Sequence, residues 1–231
     1  MRYGTAPGPA GSSFDGAAAR RLRDGLRLTP EDVAYGMRAA YGMETDARTV
    51  AAWEAGAATP DERQLAALAG ALWCSVSDLL GRPATLREYR MARGVPRSDV
   101  ALRIGMDPAA YARIEDTGVW TGNARQAEAL AGMLRLPVPA LIEFTGRGAE
   151  LAAVLRKAAT TRWQAHVTPV CALVPLPRAA VEEGLRTLHT GYQSTTAASL
   201  GWGQPASAGS RDAGRTYLEE VVEHFWQAVG A

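Results

Sequence analysis

Residues 46–60 read DARTVAAWEAGAATP, and this stretch decides how the rest of the chain is organised. Asp46 has a side chain able to accept from the free N–H groups of a first helical turn, and Val50 with Trp53 makes an apolar i, i+3 stripe. Gly56 supplies the stop. Ala47, Arg48, Thr49 and Ala52 then fall on the opposite, solvent face of a short helix.

Working outward, Thr29-Pro30-Glu31-Asp32 is a helix start: the threonine caps, the proline fits the first helical position, and the two acids complement the positive end of the dipole. The helix it opens carries Val33, Ala34, Met37 and Tyr41 inward and stops at Gly42. Upstream, Ala17 to Leu26 forms an Arg-rich helix with Leu22 and Leu26 one turn apart. Residues 1–16, rich in Gly, Pro, Ser and Ala, form a flexible tail. Downstream, Thr59-Pro60-Asp61-Glu62 repeats the start signal and opens a helix with Leu65, Leu68, Ala69 and Leu72 at helical spacing. Ser75 to Leu80 makes a short closing helix.

The same order recurs from Ala84 to Thr145. Leu86–Arg93, Arg97–Ile104, Asp107–Glu115 and Asn123–Leu134 match the four helices of the first copy, and Pro139–Ile142 matches Ser77–Leu80. Gly-Met before the third helix and Leu-Ala-Gly inside the fourth keep the two copies in register, a specific sign of internal duplication. Fourteen residues separate Ala101 from Glu115, whereas twenty separate Ala34 from Glu54. Four of the extra six, Arg38 to Tyr41, lengthen the second helix by about one turn. Glu44 and Thr45 lengthen the turn that follows.

Thr29, Ala34, Gly42 and Trp53-Glu54-Ala55-Gly56 together resemble the lambda-repressor and Cro-like (XRE) helix-turn-helix family. The resemblance implies an all-α chain: two tandem five-helix helix-turn-helix domains at 17–82 and 83–147, then a helical dimerisation or sensor domain at 148–231. It also implies a sequence-specific transcriptional regulator that meets double-stranded DNA, as a homodimer, with helix 46–54 in the major groove. Arg48 matches the position that reaches base edges, and arginine reads guanine by a two-pronged hydrogen bond. Thr49 contacts a phosphate or a thymine methyl, and the small Ala47 and Ala52 let the helix come close. In copy two the corresponding face is Asp107, Pro108, Ala109 and Ala110, leaving Arg97 and Arg113 as the residues with contact chemistry. The family also pairs a first-helix arginine with the glutamate ending the recognition helix, here Arg23 with Glu54 and Arg90 with Glu115.

Beyond Glu150 no third copy is visible. Leu151, Val154, Leu155 and Ala158 give one stripe that continues through Trp163 until Pro169 interrupts it, and 170–177 suits a buried crossing. Arg178 to Leu200 carries Val181, Leu185, Leu188 and Tyr192. A loop follows from Gln204 to Arg211, and Asp212 caps a last helix bearing Leu218, Val221, Val222, Phe225 and Trp226. The aromatic set Trp163, Tyr192, Trp202, Tyr217, Phe225 and Trp226 reads as a small core or dimer interface, or, more sharply, as a pocket for a small-molecule or protein effector.

The 231 residues carry 25 basic and 24 acidic side chains, net +1, balanced along the chain. That balance opposes strong non-specific nucleic-acid binding, which rests on phosphate neutralisation. It leaves open a second reading, in which the helix-turn-helix modules form a protein-interaction scaffold that does not touch DNA. Cys74 and Cys171 lack paired spacing and read as small buried hydrophobes. His166, His189 and His224 lack metal-ligand spacing and suit packing roles better than a metal or ligand site. Glu182-Glu183 and Glu219-Glu220 diverge around their helices as solvated faces. The chain shows no nucleophile, base or metal set, so neither an enzyme nor a cofactor is expected. No signal-like or membrane-length apolar run occurs, which places the expected location in the cytoplasm.

Overall fold

The computed structural model describes residues 14–198 and 208–231, and it is all-α. Among the described residues the only strand-like pairing is an isolated bridge between Phe14 and Leu80. Among the described residues fourteen α-helices form two compact units, one ending at Gly118 and one beginning at Val119. The boundary falls inside the 83–147 segment.

The first unit begins with α1 (Gly16–Gly25), α2 (Pro30–Tyr41), α3 (Ala47–Glu54) and α4 (Glu62–Ala71), closed by a 3₁₀ turn at Val76–Leu79. Their starts follow local chemistry. Asp15 accepts from Ala18 N at 2.8 Å, so residues 15 and 16 belong to the helix start and not to a tail. Thr29 and Asp32 cap α2 reciprocally, Asp46 accepts from Thr49 N at 2.7 Å to start α3, and Asp61 with Gln64 forms a capping box on α4. The α4 start therefore differs from the one at Thr29: Asp61 caps, and Pro60 precedes the helix. Ala19, Val33, Met37, Val50, Trp53, Leu65, Leu68 and Leu79 form one buried cluster. Tyr41 does not join it. It is 48% exposed, and its ring lies over Gly70, where a Cβ would sit 1.8 Å from the hydroxyl. Leu26, at the C-cap of α1, is likewise 39% exposed.

Three further helices complete this unit: α5 (Leu86–Ala92), α6 (Arg97–Ile104) and α7 (Pro108–Thr117). α2 has 12 residues and α6 has 8, so the four-residue insertion is one extra helical turn. Both end on a glycine in the left-handed region, Gly42 at φ 61° and Gly105 at φ 65°, the conformation that frees the last carbonyls for a C-cap.

The second unit contains α8 (Ala124–Leu134), α9 (Val138–Phe144), α10 (Gly148–Thr160), α11 (Val167–Leu173), α12 (Arg178–Ala198), α13 (Ala208–Glu219) and α14 (Val221–Val229). Leu151, Leu155, Val170, Val181, Leu185, Leu188, Val221 and Phe225 fill its core. The stripe after Glu150 ends at Thr160. Pro169 lies in the first turn of α11, where its missing N–H costs nothing, so it starts a helix where an interruption was expected. Asp212 lies within α13, which begins at Ala208, and the last helical stretch breaks at Glu220 into α13 and α14. The expected loop at 204–211 is thus helical from 208 on; residues 204–207, Trp202 and Leu200 lie outside the described residues. No helix among the described residues is long and apolar enough to cross a membrane.

Candidate nucleic-acid interface

α3 is held from its inner side. Val50 and Trp53 are 1% and 2% exposed, anchoring the helix on α1 and α2. At its end, Glu54 receives both Nε of Arg23, at 2.6 Å, and Nη2 of Arg23, at 2.8 Å. The same guanidinium donates to Leu28 O at 2.8 Å and to Asp24 at 2.8 Å, so one arginine joins α1, the α1–α2 link and α3. The hydrogen bonds from Arg23 to Glu54 raise its pKa against the opposing effect of burial. The N-terminus of α1 also closes on α3: a Cβ on Gly16 would lie 2.4 Å from Trp53 O. α3 is a short, rigidly mounted rod.

Arg48 lies exposed on the outer side, with Ala51 and Ala55. Ala47, Thr49 and Ala52 are half-buried and flank it. Asp46, one turn-start away, is held below the ordinary carboxylate range, chiefly by its hydrogen bonds to Thr49 and to a lesser degree by the Arg48 charge. The side chains able to face a groove are therefore one long cation among small neighbours.

The corresponding helix of the second copy, α7, is mounted more elaborately. Arg90 is 1% exposed and places all five N–H groups: Nε on Glu115 at 2.6 Å, Nη1 on Glu62 at 2.7 Å and on Val95 O at 3.0 Å, Nη2 on Glu62 at 2.8 Å and on Glu115 at 3.2 Å. Burial works against the charge, but the bonds to Glu62 and Glu115 hold its pKa far above the ordinary arginine value. The Glu115 side chain is fully buried and also accepts from Arg97 Nε at 2.9 Å. Arg97 reaches Asp116 at 3.1 Å, and Arg87 pairs with the same carboxylate. Buried Tyr111 lies beside this network, its phenol pushed well up by burial and then by the Glu115 charge.

Arg97, named above for DNA contact, is thus committed to two carboxylates of its own unit. Arg113 is exposed on α7. Arg87, Asp116 and Tyr111 were not among the residues singled out in the sequence, and Glu62 was named only as part of a helix start. Glu62 and Arg90 belong to different copies and are 28 positions apart, a partnership that no within-copy register can signal.

In the second unit each histidine has a local partner. His166 Nε2 lies 3.1 Å from Thr161 Oγ1, His189 Nδ1 lies 3.0 Å from Ala159 O, and His224 stacks on Tyr217 at 4.3 Å between ring centres. Phe225 is buried, and Trp163, Tyr192, Tyr217 and Trp226 pack around the core, which puts the described aromatics in packing positions. Among the described residues no group of His, Cys, Asp and Glu could hold a metal ion. No family model, curated protein or solved structure matches this chain.

Proposed function

We propose that this chain is a sequence-specific DNA-binding transcriptional regulator, built on two tandem helix-turn-helix domains and without enzymatic activity. In this reading α3 enters the major groove of double-stranded DNA, and Arg48 donates to a guanine edge. The observation that carries it is the presentation of Arg48: exposed, at the start of a helix whose other face and far end are pinned by Val50, Trp53 and the Arg23–Glu54 pair. A rigid mount supports base reading because little conformational freedom is lost on binding. Thr49, Ala47 and Ala52 border the contact. Arg113 contributes at most a phosphate contact from the second copy, and Arg97, held by Glu115 and Asp116, orients α7 instead. The regulator works as a homodimer in the cytoplasm, because one module gives weak binding while two half-sites reinforce each other. The helices after residue 147 serve dimerisation or the sensing of a small-molecule or protein effector.

The test is a gel-shift or fluorescence-anisotropy series on DNA selected from a random library. Arg48→Ala should weaken specific binding by about 1–3 kcal/mol and relax the preference at one base position. Unchanged affinity and preference remove Arg48 from the role.

A second reading, a protein-interaction scaffold of helix-turn-helix modules, is favoured by α6 and α7. Leu102 is 80% exposed, and Arg97 at the start of α6 is neutralised by Glu115 and Asp116. Failure to select any DNA, with capture of a protein through the Leu102 face, supports that reading.

A further inference from the structure

The two copies mount α3 and α7 with the same arginine and differ in one partner. Arg23 and Arg90 stand at equivalent positions. Each places Nε and Nη2 on the glutamate of the mounted helix, and Nη1 on a carbonyl five residues further on, Leu28 O or Val95 O. Such a fork fixes the orientation of a carboxylate. In copy one these groups and the adjacent Asp24 complete the mount. Arg90 takes a further carboxylate, Glu62, from the other copy, through bonds of 2.7 and 2.8 Å. Copy one manages without such an acid, so the mounting of α7 does not account for Glu62.

The alignment of the copies agrees. Asp61-Glu62-Arg63-Gln64 matches Asn123-Ala124-Arg125-Gln126, and both quartets form capping boxes. The cap is kept in each, but the acid stands only in the copy that another follows. Around it the joint between the copies is loosely filled: two hollows, of about 430 and 240 Å³, are each lined by Glu62 and Met91. α5 meets the first copy at the 3₁₀ turn and through Met91, which packs against that copy's core. Hollows beside these contacts leave few dispersion contacts to resist a shift of α5 on α4. The two-pronged Glu62–Arg90 bond supplies the missing constraint.

We propose that Glu62 is a positioning residue that fixes α5–α7 on the first copy, so that α3 and α7 meet one DNA duplex as a single reading head with a set separation. Glu62 opens α4 just after the segment that leaves α3, and Arg90 carries the tie on to Glu115 near the end of α7. One guanidinium thus links the exits of both recognition helices. The DNA part rests on the regulator reading, in which Arg48 contacts a base and Arg113 a phosphate. Phosphate contacts set register, and two linked contacts reinforce each other only when the geometry lets both form at once.

The experiment measures the separation first without DNA. The full chain carries Cys74→Ala and Cys171→Ala, with spin labels on Ala51→Cys of α3 and Ala109→Cys of α7, both exposed positions. Double electron–electron resonance should give one narrow distance distribution. Glu62→Ala, which copies the second repeat, should widen it by about twofold or more, with Glu62→Gln between the two. The circular dichroism spectrum should not change, and α7 amides should stay protected, because Arg90 and Arg97 still hold Glu115. A distribution that stays narrow in Glu62→Ala overturns the proposal, as does a broad one with Glu62 in place. So do α7 amides that exchange as fast as in Arg90→Met, since Glu62 would then be part of the mount. On DNA selected by the wild type, one base pair inserted between the two contacts moves the phosphate by about 3.4 Å and roughly 35°. Wild-type affinity should fall about tenfold or more and that of Glu62→Ala less than about threefold; equal tolerance overturns the shared reading head. Selection of no DNA at all defeats the regulator reading, while the label distances still decide whether Glu62 fixes the copies.

Discussion

Removing the Arg90 guanidinium, with Arg90→Met keeping the aliphatic length, should be among the most damaging single changes in the first unit. The wild-type side chain is 1% exposed and spends five N–H groups on three acceptors. Without it the Glu115 side chain, at 0% exposure, keeps a single cation, Arg97, whose own side chain is 34% exposed. Breaking a buried pair from one side costs about 3–5 kcal/mol, because the remaining charge is left desolvated. Arg97 supports the lower half of that range. For a unit of this size at about 4 °C per kcal/mol, the melting temperature falls by roughly 12–16 °C. The double variant Arg90→Met/Glu115→Leu removes both buried charges and should recover most of the loss, since Glu62 and Arg97 can turn to water. Urea denaturation gives the global value, and hydrogen exchange of the α5–α7 amides gives the local one, which matters in a chain of two compact units. A loss under about 1 kcal/mol for the single variant, or a double variant as unstable as the two singles added, would refute the claim that a buried, coupled pair positions α7.

The remaining outcomes concern smaller perturbations. The bonds from Arg90 hold Glu62 below the ordinary carboxylate range, outweighing a smaller upward push from burial. Its pairing therefore stabilises the fold above that range and is lost as pH falls through the lowered value. In urea titrations from pH 7 to pH 3, wild type should lose more stability than Glu62→Gln, and parallel curves would contradict the pairing. Gly16→Ala should destabilise although alanine favours helix, because its Cβ meets the backbone carbonyls of Trp53 at 2.4 Å and Glu54 at 2.9 Å, which cannot step aside. A loss of about 1–3 kcal/mol in thermal melts is expected. Gly184→Ala places a methyl 2.6 Å from Val229 Cγ1 and 2.9 Å from the Phe225 ring, and should cost about 1–3 kcal/mol, with α14 amides exchanging faster.

Helix boundaries were legible in the sequence because capping is local. Thr29–Asp32, Asp46–Thr49 and Asn123–Gln126 bridge three positions, and Gly42 and Gly105 adopt a backbone that other residues resist. The six-residue difference between the copies was equally readable, since a turn of helix is a count of residues. Inclusion of Asp15 and Gly16 in α1 was missed because a Gly-Pro-Ser run hides the cap at its end. Asp212 misled in the opposite sense: it is a capping residue type inside a helix, where its side chain pairs with Arg215 at 2.8 Å.

What packing alone decided lies between segments. Arg97 has the same chemistry as Arg48, yet the first is drawn onto Glu115 and Asp116 while the second faces solvent. Tyr41 and Leu26 carry the hydrophobic signal of core residues but rim a groove, because α4 approaches α2 at Gly70 and leaves the aromatic ring outside. Local hydrogen bonds within three or four residues determine where helices begin and end. Which charges meet, and which apolar side chains stay uncovered, depends on distances between helices far apart in the chain, and those emerge only when the core is assembled.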